Sequence, residues 1–110
     1  MGNNQYSIWI EAEEWAGGWN IHDGNTDVIV KFEDGSRWIA SCFTYKNIYT
    51  LAKKNTQTGE CLHGKYFWGS DMLLVDNCSR NRIEEVVEHL IAEGEFESIF
   101  DKCKEIDLFE

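Results

Sequence analysis

The sequence predicts an α+β domain: an antiparallel sheet of about four to five strands packed on one face by two to three helices. Three observations predict it. Two β-rich runs flank Asp34-Gly35 in DVIVKFEDGSRWIASCF. A helical stripe of Ile83, Val86, Val87, Leu90 and Ile91 falls at i, i+3, i+4, i+7 and i+8. The chain is 110 residues long, 43% hydrophobic, with fifteen aromatics, which suits one folded domain over residues 1–110 rather than a disordered chain. Residues 1–5 read as a flexible N-terminus.

The elements follow in order. Tyr6 to Ala12 is rich in aromatic and β-branched residues and reads as a first strand. The Gly- and Asn-rich stretch AGGWNIHDGNTD reads as loop, with room for a short strand around Trp19–Ile21. Asp-Gly is the pair favoured in a two-residue type I′ turn, which would set Glu33 opposite Ser36 and Val30 opposite Ile39. That register puts Val28, Val30, Phe32, Ile39 and Phe43 on the core face, and Ile29, Trp38, Ala40 and Cys42 on the other. Thr44 is a candidate cap for a helix from Tyr45 to about Lys54, with Ile48, Leu51 and Ala52 inward. After a turn-rich NTQTGECLHG, Lys65–Trp68 and Asp71–Val75 read as extended, and Met72–Val75 as a central strand. Asn81 to Glu84 resembles a capping box ahead of the striped helix. Gly94 stops that helix, and Phe96, Ile99, Phe100 and Cys103 continue the spacing in a second, shorter one.

Charge narrows the classes of partner. Twenty Asp plus Glu against ten Lys plus Arg give a formal net charge of −10. Such a field repels nucleic-acid phosphates and anionic membranes and attracts basic proteins. No apolar run is long enough to span a membrane. The four cysteines, Cys42, Cys61, Cys78 and Cys103, are widely spaced with no C-x-x-C pair, so neither a metal site nor a cofactor is expected. With no secretory signal, the expected compartment is the cytoplasm, with thiols reduced. Neither the nucleophile elbow, the P-loop, the dinucleotide fingerprint nor the zinc-protease motif is present, and no catalytic residue is assigned.

Three blocks, NTDVIVKFEDGSRWIASCFTYKNI, TGECLHGKYFWGSDMLLVD and RIEEVVEHLIAEGEFESIF, resemble a family of small bacterial proteins. Some of these look like immunity proteins of contact-dependent growth inhibition and related polymorphic toxin systems. The resemblance covers roughly Asn25 to Cys103. It implies a non-enzymatic protein that binds and neutralises a cognate toxin domain, a basic nuclease such as an RNase being a common kind. The expected docking surface is Glu84, Glu85 and Glu88 on the striped helix, followed by Asp71, Trp68, Trp19 and Asp23 as loop contacts and anchors. The alternatives are a regulatory interaction module, a homodimer formed through an open sheet edge, or a small enzyme using His22 or His63.

Overall fold

The computed structural model describes residues 5–104, so most of the expected flexible N-terminus lies outside the described residues. The fold is α+β. Strands β1 (Tyr6–Ile10), β2 (Asn25–Phe32) and β3 (Arg37–Thr44) form an antiparallel meander, with a 3-10 turn, Glu11–Glu14, after β1. Helix α1 (Tyr45–Thr58) and a short turn of helix, α2 (Glu60–Gly64), lead to β4 (Met72–Val75). Helix α3 (Arg80–Glu93), the single turn α4 (Phe96–Ile99) and β5 (Asp101–Lys102) complete the described chain.

The hairpin is where the expected register changes. Observed partners are Val28 with Ala40, Ile29 with Ile39 and Val30 with Trp38. The loop has three residues, not two. Phe32 N donates to Ser36 O at 2.9 Å and Gly35 N to Phe32 O at 2.9 Å, with Gly35 at φ 90°. This is a type I turn closed by a glycine bulge, which also ends in Asp-Gly. The Asp34 carboxylate fixes it by accepting from Ser36 N at 2.8 Å and Ser36 Oγ at 2.7 Å. One extra loop residue inverts β3 relative to β2. Trp38, Ala40 and Cys42 therefore join Val28 and Val30 on the core face, while Ile39 and Phe43 turn outward.

That core face is covered by α3, through Ile83, Val87 and Leu90, and by Phe96 and Phe100. Ser79 caps α3, its Oγ accepting from Arg82 N at 3.2 Å, so the helix starts two residues before the expected Asn81 cap. Gly94 ends it in the left-handed conformation, as the sequence indicated. The second helix stops after one turn. Beyond it Phe100 is extended and Asp101–Lys102 pair with Trp38 and Ile39, so Cys103 is not helical.

Two segments depart from the sequence expectation in the middle of the chain. Trp19–Ile21 and Lys65–Trp68 are not strands. Met72–Val75 is a strand but lies at an edge, pairing parallel to β3 over Ser41–Thr44, while β5 uses the first half of the same β3 edge. The connection through α1 makes this parallel pairing possible. Yet α1 supplies no residue to the core cluster, and Ile48, Leu51 and Ala52 are only half-buried. Its start is held instead by Thr44 Oγ1, which accepts from Asn47 N at 3.0 Å and Gly24 N at 3.2 Å. Its end is held by α2, whose Cys61, Leu62 and His63 all have left-handed backbone angles. Gly64 lies so close to α1 that an added Cβ would stand 2.4 Å from Ala52 O.

Candidate functional site

The α3 surface is built from carboxylates and two arginines. Ile83, Val87 and Leu90 anchor one side of the helix in the core, which leaves Glu84, Glu85 and Glu88 exposed on the other. Arg80 forks onto Glu13, with Nε to Oε2 and Nη2 to Oε1 both at 2.8 Å. The same guanidinium reaches Glu84 at 3.0 Å and the Ile8 carbonyl at 2.9 Å. It thereby ties α3 to β1 and to the 3-10 turn. Arg82 pairs with Asp76, Nε to Oδ1 at 2.9 Å, and with Glu85.

Of the three expected docking glutamates, two are therefore held by arginines. Glu88 forms no ion pair among the described residues. Each arginine is outnumbered two to one by its carboxylates, so the surface keeps its negative sign. Hydrogen bonding to Arg80 draws the Glu13 carboxyl below its usual pKa, and hydrogen bonding to Arg82 does the same for Asp76. Both guanidiniums are stabilised as cations in return. Tyr6, on β1, feels the same field: burial first, then the charges of Glu88 and Glu84, push its phenol above the ordinary value.

The loop residues do not join this surface through any hydrogen bond or ion pair among the described residues. Asp23 is a structural bolt. Its Oδ1 accepts from Asn47 Nδ2 and its Oδ2 from Thr50 Oγ1, both at 3.0 Å, and these bonds lower its pKa. Trp19 is not a protruding anchor. It packs against the core, and its indole Nε1 is buried with no hydrogen-bond partner among the described residues. Trp68 does stand out, at 69% exposed, and Asp71 is exposed at a left-handed turn whose carbonyl accepts from Ser41 N at 2.9 Å.

Sequence reasoning missed a second surface. Helix α1 carries Lys46, Lys53 and Lys54 and no acidic residue. Tyr45 and Tyr49, one turn apart, are 60% and 68% exposed. The segment 45–66 holds four lysines against a single glutamate, Glu60, so nearly all the acid lies elsewhere. The lysine spacing was visible in the sequence; the exposure of the helix was not. Of the histidines weighed as catalytic, His63 is exposed on α2 and His22 is an exposed loop residue. Cys42 and Cys78 are buried in the core; burial pushes the Cys42 thiol up to about 12 and the Cys78 thiol to about 11. Among the described residues no group of three or more His, Cys, Asp or Glu is placed to hold a metal ion. No helix there is long and apolar enough to cross a membrane.

No protein-family model, curated protein or solved structure matches the chain.

Proposed function

We propose that this protein is a cytosolic immunity protein that binds a cognate toxin domain and neutralises it through an acidic docking surface. The observation that carries the reading is the α3 face. Glu84, Glu85 and Glu88 are exposed on it, and Glu13 and Asp76 are bound to its only two arginines, so five carboxylates stand on or against a helix fastened to the sheet. A toxin nuclease holds phosphates and so presents basic residues at its active site. Charge of opposite sign accelerates capture, and a fixed surface loses little entropy on binding. The sequence resemblance supplies the toxin-system context.

The test is co-expression with the toxin domain encoded beside this gene, followed by pull-down and growth rescue. A stable complex and rescued growth are expected; rescue that persists without a complex, or a complex without rescue, contradicts the reading. A homodimer is the second reading, favoured by β1, which pairs with β2 on one edge and with no other described strand. Mass measurement in solution separates the two.

A further inference from the structure

At the end of the β2–β3 hairpin lies a hollow of about 390 Å³. Phe32 and Trp38 form aromatic walls, and Glu33, Asp34 and Glu97 bring three carboxylates to its lining. The walls are held from behind. Phe96 packs edge-on to Phe32 at 5.5 Å and to Trp38 at 5.7 Å between ring centroids, and it stacks on Phe100 at 4.4 Å. None of the three carboxylates forms a salt bridge with a described residue.

One group of the protein itself reports the chemistry of the hollow. Lys102, also in the lining, holds its Nζ 5.9 Å from the centre of the Trp38 ring. An ammonium over an indole face is a cation–π contact, the same interaction by which aromatic walls receive organic cations. The hollow has the size of a small-molecule site. After Lys102 is counted, two negative charges remain uncompensated.

We propose that this hollow binds an organic cation, the guanidinium or ammonium of an arginine or lysine side chain, which displaces Lys102 from the face of Trp38. The aromatic walls take the flat or alkyl part of the ligand, and Glu33 and Glu97 take its N–H donors. Asp34 contributes charge, because one of its oxygens is already committed to Ser36. The inference deepens the proposed function and to that extent rests on it: an arginine of the basic partner is the natural occupant. The hollow would then be a second contact on the partner, reached from the hairpin end of the sheet.

The probe is N-acetyl-arginine amide, titrated into uniformly ¹⁵N-labelled protein, with the Trp38 indole resonance assigned through Trp38→Phe. A saturable shift of that resonance is expected. The neutral urea analogue, N-acetyl-citrulline amide, is expected to give none. Glu33→Gln with Glu97→Gln should weaken binding. Lys102→Ala should tighten it about two- to five-fold, the equivalent of one exposed cation–π contact. An arginine-containing peptide that binds no better than the amide identifies a free small cation as the ligand; a tighter peptide identifies a protein chain. Equal shifts with the citrulline compound, no saturable shift, or weaker binding after Lys102→Ala would overturn the proposal. These residues are exposed or half-buried, and an unchanged circular dichroism spectrum checks that each variant is folded. Probe binding without any toxin complex leaves the hollow standing and removes the immunity reading. A toxin complex with no probe binding does the reverse.

Discussion

Replacing Arg80 by Met tests the strap that joins α3 to β1. Methionine keeps an unbranched apolar stem and removes the guanidinium fork. Three interactions disappear: the bidentate pair with Glu13, the pair with Glu84, and the hydrogen bond to the Ile8 carbonyl. The Arg80 side chain is 37% exposed, so each ion pair is discounted to about 0.5 kcal/mol. The part-buried bond to Ile8 contributes about 1 kcal/mol. The expected loss is about 2 kcal/mol, or a fall in Tm of about 8–16 °C for a domain of this size. Urea titration and calorimetry read it. In 1 M salt the ion pairs are screened, since the Debye length falls to about 3 Å. About half the difference between wild type and variant should therefore survive. Arg80→Lys should recover less than half, because an ammonium cannot fork onto Glu13 while reaching Ile8. A loss below about 0.5 kcal/mol, or full recovery with lysine, would show that Arg80 contributes only surface charge.

Three further outcomes are expected. Glu88→Lys should slow toxin association about tenfold at low salt, because two charge units at about 6 Å in water amount to about 1.4 kcal/mol; the same slowing at 1 M salt would contradict an electrostatic origin. The Cys42 thiol has its pKa raised in the folded state, so the folded chain retains a proton that the unfolded chain loses. Stability should then fall as pH rises from about 9 towards 12, by up to about 1.4 kcal/mol per pH unit; urea midpoints should show a shallower alkaline slope for Cys42→Ala, and an equal slope refutes the assignment. Gly64→Ala should free the end of α1, since its φ is 80° and its Cβ would meet Ala52 O; amide exchange between Ala52 and Thr56 should accelerate, and unchanged protection would refute the close packing.

The α3 stripe was legible because its apolar residues follow one period without interruption, and Gly94 ends it with a conformation only glycine adopts cheaply. The hairpin was legible as a hairpin but not in register. Both turn types place glycine at a left-handed position after Asp, and β3 is apolar on both faces, so Trp38, Ala40 and Cys42 compete with Ile39 and Phe43. Hydrophobic alternation cannot break that tie; the hydrogen bonds of Asp34 do. The parallel partner of β3 was illegible because such pairing depends on where α1 delivers the chain. For the site, the spacing of Arg82 to Glu85 already put opposite charges on adjacent turns of helix, whereas a cap at Asn81 left Arg80 ahead of the helix and its pair with Glu84 hidden. Glu13 and Asp76 reach the same arginines from distant sequence positions or from outside the helix, which no periodicity reveals. The wall made by Phe32 and Trp38 likewise exists only in the observed register.

Charge is unevenly distributed along this chain: segment 45–66 holds four lysines and a single glutamate, while the other nineteen acidic residues lie outside it. Lys46, Lys53 and Lys54 are exposed, as are Tyr45 and Tyr49 beside them. A cationic body is therefore repelled locally by α1 while the net charge of the chain attracts it, so the exposed tyrosines of α1 are left free for contacts of another kind.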